Sequence, residues 1–190
     1  MKTMDVFDVR GVLSTTGAVL EGHFELSSGY HTDKYFQCAK LLQYPDFAEE
    51  TGKAIASKID FQVETVIGPA LGGVIIAYEV ARALGIKGLF AERKDGILQL
   101  RRGFEIAKGE KILIVEDVIT TAKSAKETAS LVEELGGEIV GYASIIDRSE
   151  GKSGLDIISL VKIAPELYSV QNCPLCLHGI PIYKPGSRTV

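Results

Sequence analysis

Ile112-Leu113-Ile114-Val115-Glu116-Asp117-Val118-Ile119-Thr120-Thr121-Ala122-Lys123-Ser124 is the stretch from which the rest of the chain can be read. Ile112 to Val115 are apolar without interruption, the pattern of a parallel strand covered on both faces. Glu116 and Asp117 stand at that strand's end. A short segment carrying the hydroxyls of Thr120, Thr121 and Ser124 follows, and then a helical pattern. Ligands of open α/β sheets bind at the carboxyl ends of strands. Acids, hydroxyls, free backbone N–H groups and a helix start therefore share one crevice.

Each part has a chemical use. Backbone N–H groups from Thr120 to Ser124, at a helix N-terminus, form a concave anion site. Two carboxylates repel a phosphate, so Glu116 and Asp117 suit sugar hydroxyls or a Mg²⁺ carried by the ligand. A phosphate at one end and paired acids at the other describe a phosphorylated sugar. A plain strand, acidic turn and solvated cap accounts equally well for the apolar run and the helix start. A P-loop does not fit: it needs glycine six and one residues before its Lys, and Asp117 and Ala122 hold those places before Lys123.

Four apolar residues, two acids, two apolar residues and Thr-Thr-x-x-Ser resemble the 5-phosphoribosyl 1-diphosphate (PRPP) motif of type I phosphoribosyltransferases. The resemblance implies that Glu116 and Asp117 hold the ribose hydroxyls. It also implies that Val118, Ile119, Thr120, Thr121, Ala122, Lys123 and Ser124 complete the PRPP contact, with Thr120 to Ser124 on the 5′-phosphate. The family often has glycine at the loop positions occupied here by Ala122 and Lys123. Glycine tolerates positive φ, so Ala122 is expected to keep a negative φ.

The chain has 190 residues, enough for one domain with a substantial core. A formal net charge of −4 disfavours a non-specific nucleic-acid binder. No signal-peptide pattern and no membrane-spanning apolar run is present, so no membrane partner is expected. Three cysteines without a secretory signal point to a reducing cytoplasm.

Asp5 to Leu13 reads as a short amphipathic helix, and Thr15 to Leu20 as a loop or helix end. Phe24 and Leu26 alternate as in a strand, Ser28-Gly29 turns the chain, and Tyr35-Phe36 starts a second strand. His31 and Lys34 read as surface residues. The hairpin is similar to that of orotate phosphoribosyltransferases, where an aromatic pair lines the pyrimidine pocket. Some members carry Lys where Ser27 stands. Pro45 to Ile59 reads as a helix. Strand Val63 to Ile67 runs into Gly68-Pro69-Ala70-Leu71-Gly72-Gly73 and a helix from Val74 to Leu84, closed by Gly85. That glycine-rich turn is a second anion cradle and resembles the family's diphosphate loop, without its occasional Tyr-Lys pair.

After the strand Gly88 to Ala91, Asp95-Gly96 signals a hairpin whose arm carries Arg93, Lys94, Arg101 and Arg102. An exposed arm kept soluble by charge explains this as well as a mobile lid does. By resemblance, Arg93 and Lys94 belong to a lid that closes over the diphosphate, often in the neighbouring subunit's site. That implies a homodimer. Arg101 or Arg102 would add charge, with Arg102 the choice for PRPP. Ser124 to Leu135 is a helix. Glu138 to Ile146 is a strand ending in Asp147-Arg148, where the family places the Arg that binds the orotate carboxylate. Asp156 to Ile163 is the last strand. Cys173-Pro174-Leu175-Cys176 leaves packed thiols, a redox pair or a zinc site open. Zinc would need two further ligands, for which His178, Cys38 or a second subunit are candidates. A Cys-Pro-x-Cys tail also occurs in one branch of orotate phosphoribosyltransferases.

The expected fold is α/β, the type I phosphoribosyltransferase fold: a central, mostly parallel sheet with helices on both faces. Residues 1–190 form one domain, with a small N-terminal hood of about residues 1–40 to which the 165–190 tail can add. The resemblance implies transfer of phosphoribosyl from PRPP to orotate with Mg²⁺ carried by PRPP and no metal ligand from the protein. Catalytic roles fall to Glu116, Asp117, Arg93 and Lys94, and orotate contacts to Thr120 and Arg148. A purine phosphoribosyltransferase and a non-catalytic PRPP sensor are the alternatives.

Overall fold

A computed structural model describes residues 7–26 and 28–185. The beginning of the expected first helix, Asp5 and Val6, and the Ser27 position lie outside them. Helix α1 (Val9–Thr15) starts where the Asp8 carboxylate accepts the Gly11 N–H at 3.0 Å, which satisfies one orphan donor of the first turn. Strands β1 (Val19–Glu25) and β2 (His31–Phe36) form an antiparallel hairpin. It begins inside the stretch expected to be loop, because Val19 to Glu21 pair with Lys34 to Phe36. The register shifts between Glu21 and Phe24, and the consecutive residues His23 and Phe24 are both buried. A bulge re-aims side chains in this way.

Helices α2 (Ala39–Leu42) and α3 (Pro45–Ala56) follow, the latter with Pro45 in its first turn, where a missing N–H costs nothing. Strand β3 (Thr65–Pro69) leads into α4 (Gly72–Leu84), which Gly85 ends in the left-handed conformation at φ 70°. Strands β4 (Lys87–Lys94) and β5 (Ile97–Gln99) form the charged arm. Strand β6 (Lys111–Ile119) is followed by α5 (Lys123–Glu134), β7 (Glu138–Asp147) and β8 (Ile157–Lys162). The chain then adds β9 (Leu167–Tyr168) and the short α6 (Pro174–Leu177).

The main sheet has the order β5-β4-β3-β6-β7-β8, all parallel except β5. Strand side chains alternate between faces, so the unbroken apolar run of β6 feeds two cores. Leu113 and Val115 pack with Ile55, Ile76 and Val80 on the α3–α4 side. Ile112 and Ile114 pack with Ala125, Ala129 and Val132 of α5. Each of these β6 side chains is fully buried, at about 1.5–3 kcal/mol of transfer free energy apiece. From β3 the chain crosses outward to β4, and from β6 it crosses the other way to β7. The order therefore switches between β3 and β6, the place where such sheets open a crevice. A second sheet, β1-β2-β9, pairs the hairpin with the tail through His31–Tyr168 and Thr32–Leu167, and Tyr183 bridges Phe24.

Candidate active site

Two turns meet at the switch point. Glu116 and Asp117 lie within β6 rather than beyond it, since the ladder to β7 runs on to Ile119. Their carboxyls are mostly buried. Desolvation, and then the charge of Asp117, push the Glu116 carboxyl up to about 7. Burial also raises the Asp117 carboxyl, against hydrogen bonds from the N–H groups of Val118 and of Asp117 itself. Glu116 Oε1 is buried without a hydrogen-bond partner. A buried acceptor of this kind needs an explanation, and a ligand hydroxyl supplies one.

The β3 turn closes on the same acids. A Cβ on Gly72 would lie 2.8 Å from Asp117 Cγ, so only glycine lets α4 begin against that carboxylate. The Ala70–Leu71 peptide is cis, and Leu71 is 88% exposed at the crevice.

The β6–α5 loop is open to solvent at Thr120, Thr121 and Lys123. No side chain caps α5. Its first intrahelical bond from Ala122 O is to the Lys126 N–H at 2.9 Å, which leaves the earlier N–H groups without helical acceptors. Ala122 has φ 59° and ψ 21°, contrary to the expected negative φ. The loop needs the left-handed conformation that glycine supplies elsewhere, and Ala122 adopts it at a cost of about 1 kcal/mol.

Beside the acids a cavity of about 770 Å³ is lined by Phe36, Leu71, Gly72, Phe90, Arg102 and Asp117 among others, within the usual range for small-ligand sites. Of the aromatic pair, only Phe36 lines it. Tyr35 points to the other face of β2 and packs 5.9 Å from Phe24, because neighbouring strand residues diverge.

Arg148 follows the end of β7, tied to β6 by its N–H donating to Ile119 O at 2.8 Å. Asp147 accepts the Ser149 N–H at 2.8 Å and makes no ion pair with Arg148. The guanidinium lies 4.5 Å from the centre of the Phe36 ring. Its Nε is buried without a partner, and desolvation lowers its pKa. A cation on an aromatic face with an unused donor suits a flat anion.

The arm turns at Asp95 and Gly96, with φ 53° and 81°, the primed-turn geometry such sequences favour. Its cations are distributed over acids. Arg93 pairs with Glu127 of α5 and donates to Gly96 O at 3.0 Å. Arg101 and Arg102 converge on Glu92 at 3.4 and 3.0 Å. Arg102, not Arg101, lines the cavity, stacked 5.5 Å from the Phe90 ring centre. Lys94 makes no ion pair among the described residues, and Lys123 lies 3.9 Å from Glu127. Exposed pairs contribute at most about 1 kcal/mol each, so these cations can be re-aimed.

Sequence reasoning missed Phe90, Glu92 and Glu127. The partners of all three lie elsewhere in the chain, and only the Lys123–Glu127 spacing of four offered a local hint. Among the tail's candidate ligands, Cys38 is buried beside the acids, where its Sγ lies 3.9 Å from Asp117 O, and His178 Nδ1–H donates to Pro174 O at 2.7 Å. The residues that meet Cys173 and Cys176 are His23 and His31. His31 is therefore buried, not a surface residue.

Residues 39–166 match the phosphoribosyl transferase domain family. The chain is 50% identical over 190 residues to the orotate phosphoribosyltransferase of Caldanaerobacter subterraneus subsp. tengcongensis, covering 98% of this chain and 97% of that protein. It is 56% identical over 178 residues to that of Caldicellulosiruptor saccharolyticus, covering 92% and 93%. The crystal structure of orotate phosphoribosyltransferase from Aeropyrum pernix superposes with a TM-score of 0.69 at 24% identity, over 82% of this chain and 93% of that one. That likeness bears on the fold.

Proposed function

The chain belongs to the orotate phosphoribosyltransferase family, and on that premise we propose how its residues carry the reaction. It transfers the 5-phosphoribosyl group of PRPP to orotate, giving orotidine 5′-monophosphate and diphosphate, a step of pyrimidine biosynthesis. The observation that carries the assignment of roles is the pairing, at one switch point, of buried acids on β6 with the uncapped start of α5.

Glu116 and Asp117 accept the ribose 2′- and 3′-hydroxyls. The N–H groups and hydroxyls from Thr120 to Ser124 hold the 5′-phosphate, as a helix N-terminus does for anions. Breaking the anomeric bond builds oxocarbenium character, as in glycoside cleavage. The diphosphate is already a good leaving group, so the protein contributes positioning and charge neutralisation. Arg93 and Arg102 exchange their present acid partners, Glu127 and Glu92, for the diphosphate, Lys94 joins them, and together they exclude water. Arg148 pairs with the orotate carboxylate while Phe36 covers the ring, and Thr120 lies at the strand end between base and sugar.

Two adjacent carboxylates, one with an unpartnered oxygen, are a hard-oxygen donor set that suits Mg²⁺ arriving on PRPP. Held by Glu116 and Asp117, Mg²⁺ would supply charge neutralisation on the diphosphate. A homodimer is supported by the exposed apolar residues Ile75 and Tyr78 of α4 beside the arm, a patch that a second copy would cover. The lid of one subunit would then reach its partner's site. A reducing cytoplasm fits the free thiols of Cys38, Cys173 and Cys176. The β1-β2-β9 sheet serves the main sheet as a hood within one catalytic unit.

Loss of orotate absorbance with PRPP and Mg²⁺ tests the function. Turnover of orotate and not of hypoxanthine or adenine is expected. Consumption of a purine base with orotate untouched would contradict it.

A further inference from the structure

Outside this site, the described residues bring together one other cluster of metal-ligating groups. The side chains of His23, His31, Cys173 and Cys176 converge so that their ligand atoms lie within 4.8 Å of one another. We propose that these four residues form a structural zinc site that staples the C-terminal tail to the β1–β2 hairpin.

The spacing is close to that of an S₂N₂ tetrahedron, with the two ring nitrogens nearer to each other than bound zinc would hold them. Zinc bonds of about 2.3 Å to sulfur and about 2.0–2.1 Å to nitrogen separate the ligand atoms by about 3.3–3.8 Å. Cys173 Sγ is 3.5 Å from His23 Nε2, and Cys176 Sγ is 3.7 Å from it. Cys176 Sγ is 3.3 Å from His31 Nδ1, and the two ring nitrogens are 3.0 Å apart. The tautomer of His23 is also set. Its Nδ1 faces Ile180 O at 2.8 Å, and a carbonyl only accepts, so Nδ1 carries the proton. The Nε2 lone pair is left pointing into the cluster. A ring N–H held by a backbone carbonyl is the usual support of a metal-bound histidine.

Local chain features deliver each ligand. The bulge in β1 turns His23 inward next to Phe24. His31 starts β2, paired with Tyr168 of β9. Cys173 precedes α6 and Pro174 opens it, and the two-residue spacing to Cys176 matches one half of a zinc knuckle. His23, His31 and Cys173 are at least nine-tenths buried, whereas Cys176 lies at the rim. Two thiolates balance the charge of Zn²⁺, so the loaded site is neutral, which suits its burial. Thiolate and imidazole select zinc over the hard Mg²⁺ expected at the phosphate crevice.

The staple has a structural task. Without it, among the described residues, the tail is held to the hairpin by the two residue pairs of β9, the Tyr183 bridge, the exposed Lys184–Glu25 ion pair at 2.6 Å and single hydrogen bonds from His23 to Ile180 O and from the Glu166 N–H to Asp33. The same hairpin delivers Phe36 to Arg148.

The test is metal content of the full chain, purified reduced and loaded with zinc, and cobalt(II) substitution of the same protein. We expect one zinc per chain and the intense visible bands and thiolate charge transfer of tetrahedral cobalt. Cys176→Ser should weaken zinc affinity by roughly a hundredfold or more, and His178→Ala should leave it unchanged. Removal of zinc by a chelator should lower the melting temperature, and added zinc should restore it. Failure of the reduced chain to take up zinc, cobalt spectra without thiolate bands, or wild-type affinity in Cys176→Ser would each overturn the proposal. So would a Cys173–Cys176 disulfide that binds no metal after reduction. The cobalt spectrum is read on the unaltered chain, so it decides even if a variant fails to fold.

Discussion

The β6–α5 strip and the hairpin–tail cluster are both sets of ligating side chains withdrawn from water, built in opposite ways. The strip is contiguous: strand, acids, loop and helix start follow one another over 13 residues. The cluster is assembled from three places, His23, His31 and the Cys173–Cys176 turn, up to 153 residues apart. The strip carries uncompensated groups: an unpartnered Glu116 oxygen, acids with raised pKa and free N–H groups. The cluster, once loaded, compensates its own charge. The difference separates a site that spends stability on a ligand from one that adds stability to the fold.

Changes in the strip should therefore cost chemistry and spare folding. On the proposed roles, Asp117→Asn replaces the carboxyl that accepts from ribose with an amide, and turnover should fall by roughly a thousandfold with far-UV circular dichroism unchanged. Near-normal kinetics would remove the acid pair from the mechanism. Arg148→Ala leaves the orotate carboxylate without its partner, and the orotate KM should rise by roughly a hundredfold, equivalent to about 3 kcal/mol. The PRPP KM should move far less, and equal effects on the two would contradict the assignment of Arg148.

Glu116→Gln sharpens the comparison through pH. The carboxyl's pKa in the fold, about 7, lies above its ordinary value. Its contribution to stability is therefore fully present below the ordinary carboxylate range and is lost as pH rises through about 7. Gln carries no such dependence. In ligand-free protein the variant should match wild type near pH 4.5 and be more stable at pH 8 by about 3 kcal/mol, read by urea melts at both pH values. A variant less stable at pH 8 would show that burial of Glu116 is compensated within the protein. Ala122→Gly should have the smallest effect, a gain of about 1 kcal/mol, because Ala122 occupies a left-handed φ. A loss of stability instead would mean that Ala122 has negative φ.

The same contrast explains what was legible in the sequence. Ile112 to Val115 announced a strand buried on both faces, and α5 and the β3–α4 turn followed from periodicity and glycine placement. The acids and the hydroxyl loop were readable because their neighbours in sequence are their neighbours in space. The sign of φ at Ala122 was not readable, since a helix start accepts several loop conformations. Tyr35 and Phe36 are neighbours in a strand, so alternation sends only one of them, Phe36, to the cavity. His31 read as exposed because its partners, His23 and Cys176, belong to other segments. The acid partners of the arm, Glu92 and Glu127, were hidden in the same way: surface ion pairs leave no periodicity.

The central claim is that β6 offers its acids to a ribose while the start of α5 grips the phosphate. A crystal structure with PRPP and Mg²⁺ tests it most directly. The account predicts the 5′-phosphate on the N–H groups between Thr120 and Ser124, with Glu116 and Asp117 hydrogen-bonded to the ribose hydroxyls. A phosphate bound elsewhere, with Glu116 Oε1 still unpartnered, would contradict it.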